Sequence, residues 1–314
     1  MKELPALTRD EIKRYSRQIL LPEISMRGQQ KLKNASVLLV GVGGLGSPVA
    51  LYLAAAGVGK IGLVDADRVD LSNLQRQVIH STANEGMLKV ESARQRIHEI
   101  NPDIQVETFP VRIDRTNAEE ISSAYDVIVD GTDNIPSRYL LNDLAVLSGK
   151  PFVYGSIYRF EGQASIFGAK DGPCYRCLFP EPPPPGIIPS CSTAGVLGAL
   201  PGLIGSIQAI EVIKLITGAG KTLAGKLLLI DAIDLTIDKV NIRRRADCKL
   251  CGQKPEITKL IDYEHWCGTG LDLDMGSAGN GLDIEPDEVK KMMDQNQPFT
   301  FLDIREIFER QISD

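Results

Sequence analysis

The sequence predicts an α/β protein with a mostly parallel sheet, added antiparallel strands and a structural zinc site. Three observations carry this. Residues 37–65 spell a strand–turn–helix–strand unit around a glycine-rich turn. Strand-like and helix-like segments then keep alternating along the chain. Two C-x-x-C pairs, Cys174/Cys177 and Cys248/Cys251, stand far apart in sequence, a pattern suited to a tetrahedral zinc ion.

The first unit opens with Val37-Leu38-Leu39-Val40, a short apolar run fit for a strand buried on both faces. The turn that follows, Gly41-Val42-Gly43-Gly44-Leu45-Gly46, has the form G-x-G-x-x-G. Gly41 permits the tight turn, Gly43 lets backbone approach a phosphate, and Gly46 lets helix and strand pack closely. Backbone N–H groups at the following helix start face an anion. Asp65 closes the second strand, about 20 residues past the glycines, where a carboxylate accepts hydrogen bonds from ribose hydroxyls. The motif leaves the nucleotide open, since NAD, FAD and ATP all use such a turn.

At 314 residues the chain holds one large α/β domain or two smaller ones. A net charge of -6 argues against general binding to nucleic acid or a membrane surface. No apolar run is expected to span a bilayer, and the first residues lack a signal-peptide core, so a cytoplasmic location is expected. Six cysteines in that setting point to metal binding or catalysis rather than disulfides.

Thr8, with Glu11 three residues on, marks a helix start. That helix carries Arg14 and Arg17, whose residue-level reading is a solvated face. A second short helix is expected over 26–33. Beyond the second strand, residues 66–77 gather Asp67, Asp70, Asn73 and Arg76, at the edge where open parallel sheets bind ligands. Arg76 can set a planar cation on phosphate oxygens. Lys89, opening a helix over 89–100, can meet the same phosphates as a point charge. Strands follow at 104–109 and 126–130. Asp133 then lies in a loop leaving a strand's carboxyl end, a usual place for a magnesium carboxylate. After a helix over 135–148, strands are expected at 151–156 and 162–167.

The two C-x-x-C pairs come next, with the four thiolates leaving no open metal position, hence a structural role. Between them a proline run, 182–185, reads as extended. Cys191 stands beyond it, ahead of a long apolar helix over 203–216. Such a cysteine is either a thiol activated by the helix N-terminus or a small buried residue. Antiparallel strands at 226–231 and 238–242 close the sheet. The composition then shifts, giving an organisation of 1–268 as the nucleotide-binding domain, 269–284 as a Gly/Asp/Ser-rich linker and 285–314 as a segment too short for a core of its own.

Gly41 to Gly46, Asn73-Leu74-Gln75-Arg76-Gln77, Asp130 to Asn134, both C-x-x-C pairs and Ser190 to Gly195 occur in this order. Together they resemble the MoeB/ThiF family of sulfur-carrier adenylyltransferases, relatives of ubiquitin-activating enzymes. The resemblance implies a Rossmann-like domain, usually a homodimer. It implies binding of ATP with Mg2+ and adenylylation of the C-terminal glycine of a small ubiquitin-like sulfur carrier ending in Gly-Gly. It further implies that Gly41, Gly43, Gly44 and Gly46 cradle phosphate, and that Asp65, Asp67 and Asn73 serve the nucleotide. Arg76 and Lys89 neutralise the triphosphate, Asp133 holds magnesium, and Arg17 reaches the partner subunit's site. Cys191 matches a cysteine that forms a covalent carrier intermediate in some members. The sequence from Phe301 to Glu306 resembles the opening of a rhodanese domain, without its cysteine nucleophile. The rival expectations are an NAD-dependent oxidoreductase and a non-catalytic scaffold for a ubiquitin-like protein.

Overall fold

The sheet grows outward from β1 (Ser36–Val40). It pairs in parallel with β2 (Lys60–Val64) on one side and β4 (Val127–Asp130) on the other. Val37, Leu38, Leu39 and Val40 are all buried, which is why the strand is apolar at every position rather than at alternate ones. The computed structural model describes residues 4–170, 172–184, 195–267, 284, 286–295 and 297–300.

β3 (Gln105–Phe109) extends the parallel sheet beyond β2, and β5 (Phe152–Tyr158) extends it beyond β4. Three antiparallel strands then follow: β6 (Glu161–Phe167), β7 (Lys226–Asp231) and β8 (Thr236–Asn241). The order is β3-β2-β1-β4-β5-β6-β7-β8. The chain reverses its direction of travel across the sheet between β1 and β4, which opens a crevice at their carboxyl ends. β8 is the exposed edge strand, solvated along its length.

Three helices precede the sheet: α1 (Arg9–Arg14), α2 (Ser16–Ile19) and α3 (Ser25–Asn34). The expected capping box at α1 is present, with Thr8 and Glu11 each taking the other's backbone N–H at 3.2 and 2.6 Å. α4 (Gly46–Ala56) and α5 (Lys89–Ile100) link successive parallel strands. Short α6 (Ala118–Ser122) precedes β4, α7 (Ile135–Ser148) follows it, and α8 (Tyr175–Leu178) carries the first cysteine pair. α9 (Ala199–Thr217) and α10 (Tyr263–Trp266) follow. One face of the sheet packs Val37, Leu39, Leu63 and Val129 against α4, α5 and α9. The other packs Leu38, Ile128, Phe152 and Phe167 against Tyr139, Leu141 and Leu144 of α7.

Two expectations are corrected here. α9 begins at Ala199, earlier than residue 203, because Pro201 fits within a first helical turn, where its missing N–H has no intrahelical role. α9 also meets the length and hydropathy of a bilayer span, with 19 residues and a mean hydropathy of 1.5, contrary to the expectation that no apolar run would. It is apolar because it packs on α4, β5 and β6, and it buries Gln208 and Glu211.

The chain divides into two units, Met1–Gly270 and Leu271–Asp314. In the second, α11 spans Pro286–Asp294. The expected linker, apart from Ile284, and the rhodanese-like stretch from Phe301 lie outside the described residues.

Candidate active site

A cavity of about 320 Å³ occupies the crevice at the carboxyl ends of β1, β2 and β4. Gly41, Gly43, Gly44, Asp65, Asp67, Arg76, Lys89 and Asp133 all line it. Residues from the connections that follow β1, β2 and β4 therefore meet at one place, as the sequence spacing anticipated. The strand ends are drawn together by backbone. Gly41 N–H donates to Val64 O at 2.8 Å, and Gly131 N–H donates to Val40 O at 2.7 Å. Gly41 has φ +89°, and a Cβ there would stand 2.6 Å from Gly131 backbone. A Cβ on Gly46 would stand 2.1 Å from Gly41 O. Gly46 is thus a packing glycine behind the wall, with no place on it.

Each acidic residue has a distinct setting. The Asp65 carboxylate accepts from Val42 N–H at 2.8 Å and from Asp67 N–H at 2.9 Å. Asp67 holds the Lys89 ammonium at 2.7 Å, with the lysine side chain 7% exposed. Asp133 is exposed and, among the described residues, has no ion-pair partner. Arg76 donates to Ser72 O at 3.2 Å and lines the cavity. Asn73 does not line the wall. Its Oδ1 accepts from Gln77 Nε2 at 2.6 Å, so it acts by orienting Gln77, which does. The cavity carries Asp65, Asp67 and Asp133 against Arg76, Lys89 and Arg112. That balance leaves a bare triphosphate under-neutralised and suits one carrying a divalent cation.

Behind the wall, Asp130 is fully buried and pushed up to about 6, chiefly by burial, with the Arg138 guanidinium pulling the other way. Its Oδ1 accepts from Thr132 N–H at 2.9 Å and Thr132 Oγ1 at 2.7 Å. Its Oδ2 lies 3.7 Å from Arg138 Nε. The first oxygen shapes the loop that presents Asp133. α7 starts from the same loop, with Asn134 accepting Ser137 N–H at 2.9 Å as its N-cap.

Arg17 lies elsewhere. It is exposed on α2 and absent from the cavity wall. Cys191 falls outside the described residues. Sequence reasoning missed Gln77, Arg112, Ile113 and Ser137 as cavity residues. Gln77 sat within the quoted run 73–77, but Ile113 and Ser137 carried no local signal.

The four cysteines Cys174, Cys177, Cys248 and Cys251 do converge. Their sulfurs lie within 4.8 Å of one another, with separations of 3.8, 3.6 and 3.4 Å along three edges. Zinc–sulfur bonds of about 2.3 Å make a tetrahedron with edges of about 3.8 Å, so the four thiols fit zinc. Arg245 N–H donates to Cys177 Sγ at 3.4 Å, a contact that favours thiolate. Arg176, between the first pair, forms a bidentate bond with buried Asp143 at 2.8 and 2.7 Å. Tyr263 O–H adds a third bond to that carboxylate at 2.8 Å. Trp266 lies 4.4 Å from the guanidinium. The fourth ligand position is filled by protein, so this centre is closed to substrate.

Comparison with known proteins agrees with this arrangement. The chain is 51% identical over 266 residues to the sulfur carrier protein adenylyltransferase of Thermus thermophilus, covering 83% of this chain and 98% of that one. It is 50% identical over 308 residues to the probable adenylyltransferase/sulfurtransferase MoeZ of Mycobacterium tuberculosis, covering 97% and 77%. A crystal structure of E. coli MccB with AMPCPP and MccA superposes with a TM-score of 0.68 at 26% identity, over 76% of this chain and 74% of that one. Residues 15–250 match the ThiF family, and the chain belongs to it.

Proposed function

We propose that the protein is an ATP-dependent adenylyltransferase acting on the C-terminal glycine of a small ubiquitin-like sulfur-carrier protein. The supporting observation is the convergence of the glycine turn, Arg76, Lys89 and Asp133 on one cavity at the sheet's carboxyl edge. The names of the relatives, sulfur carrier protein adenylyltransferase among them, point the same way. The pathway served is molybdopterin biosynthesis or a related sulfur transfer, in the cytoplasm, where free thiols persist.

In this reading a carboxylate oxygen of the carrier's last glycine attacks the α-phosphorus of ATP. The bond from that phosphorus to the bridging oxygen breaks, and pyrophosphate leaves with the electron pair. A mixed anhydride of carrier and AMP remains. Asp65 takes ribose hydroxyls, and Arg76 with Lys89 bears the charge that builds on the leaving group. Lys89 exchanges the Asp67 carboxylate for phosphate as nucleotide enters. Asp133 would hold magnesium, which when bound neutralises phosphate charge. The protein's task is positioning and electrostatics. Arg17 completes the site from a second subunit of a homodimer. The activated acyl group passes to the Cys191 thiolate or directly to a sulfur donor, with release of AMP, and Phe301 to Glu306 resembles the opening of a rhodanese domain.

ATP–pyrophosphate exchange tests this. Exchange should require a carrier ending in Gly-Gly and fail with the same carrier lacking its last residue. Tight dinucleotide binding with no exchange would overturn it.

A further inference from the structure

His80 lies off the cavity wall and joins three segments that carry wall residues. It is buried, with 7% exposure. Its Nε2 lies 3.0 Å from Val42 O in the glycine turn. Its Nδ1 lies 2.9 Å from Ser92 Oγ, on α5 one turn past Lys89. Its backbone N–H donates to Gln77 O at 3.1 Å, in the segment that carries Arg76.

The bonding fixes the tautomer. A carbonyl oxygen can only accept, so Nε2 carries the proton; the neutral ring then accepts the Ser92 hydroxyl proton at Nδ1. Burial lowers the imidazole's affinity for a second proton, Lys89 adds to that, and Asp65 opposes it. Val42 is thereby held at both ends: its N–H donates to Asp65 at 2.8 Å and its C=O accepts from His80. A continuous set of hydrogen bonds runs from Asp65 through Val42 and His80 to Ser92. Ser92 is 1% exposed, so water does not compete at that end.

We propose that His80 is a positioning residue for nucleotide binding. By bridging Val42 O and Ser92 Oγ, it sets the spacing between the glycine turn and the helix that presents Lys89, and so the fit of the triphosphate. It does not touch substrate. The proposal rests on the ATP-using reading of the cavity above.

The test is direct binding of ATP with magnesium, measured without carrier on the full chain, beside the KM values in the exchange assay. His80→Ala should weaken ATP binding roughly tenfold and Ser92→Ala about threefold, the range expected for lost buried hydrogen bonds. KM for ATP should rise with them while KM for carrier stays put. His80→Gln, which keeps one donor and one acceptor on a planar group, should recover most of the loss. Ser92→Ala removes one hydroxyl and keeps the test open should His80→Ala fail to fold. Unchanged ATP affinity in folded His80→Ala, or in folded Ser92→Ala should His80→Ala not fold, would overturn the proposal, as would equal rises in both KM values. Absence of ATP binding by the wild-type chain would instead sink the adenylyltransferase reading itself.

Discussion

The cavity and the cysteine cluster use the same charged groups in opposite ways. At the cluster, Arg176 and Asp143 are buried, bidentate and capped by Tyr263. At the cavity, Arg76 holds only one carbonyl, Asp133 holds no counter-ion among the described residues, and Lys89 is paired with a mostly exposed Asp67. A closed set of bonds spends its charges on holding segments together. An open set keeps them for something that arrives later. The contrast separates residues that should matter for folding from those that should matter for chemistry.

The largest effect should come from the cluster. Cys248→Ser, or a strong chelator acting on the wild type, should abolish soluble folded protein. Zinc in such sites contributes on the order of 10 kcal/mol, comparable to a whole domain's stability. Metal analysis should find zinc equimolar with chain. A zinc-free, normally melting preparation would break the contrast at its root.

A crossed pair of substitutions comes next. Asp143→Ala strands a buried guanidinium and should cost about 3–5 kcal/mol of stability, with carrier-dependent exchange per folded molecule little changed. Arg76→Ala should do the reverse. Its melting temperature should stay near wild type, while exchange falls about 10²–10³-fold, as when one donor to developing charge is removed. Thermal melts and exchange rates on both proteins check this, and a swap of outcomes would dissolve the distinction.

The smallest effect concerns Asp130, which belongs to neither class cleanly. Its pKa is raised from 3.8 to about 6, so the folded state holds its proton more firmly than the unfolded chain does. Stability from this group is present below about pH 4 and is lost as pH rises through 6. Asp130→Asn should therefore gain stability relative to wild type between pH 4 and pH 7, by about 1–3 kcal/mol. A pH-independent difference in melting would show that Arg138 already compensates the charge.

What could be read from the sequence was local or carried by spacing. The strand–turn–helix–strand unit, the cap at Thr8 and the helix opened by Lys89 depend on neighbouring residues, and each formed where expected. The cysteine pairs were legible because each contributes two ligands from one turn. The partnerships across the fold were not. His80 meets Val42 across 38 residues, and Arg176 meets Asp143 across 33. No periodicity marks such residues, since their partners are chosen by how the sheet and helices stack. Ser137 is similar, a plain helix residue until the first turn of α7 is set beside Asp133.

Helix α7 supports both regions. Asn134 and Ser137 at its start belong to the cavity's surroundings, and Asn142 and Asp143 farther along grip the first cysteine pair. Loosening the metal clasp would tilt a rod whose far tip helps shape the catalytic loop. Damage at the thiols would then undo the fold and the shape of that loop together.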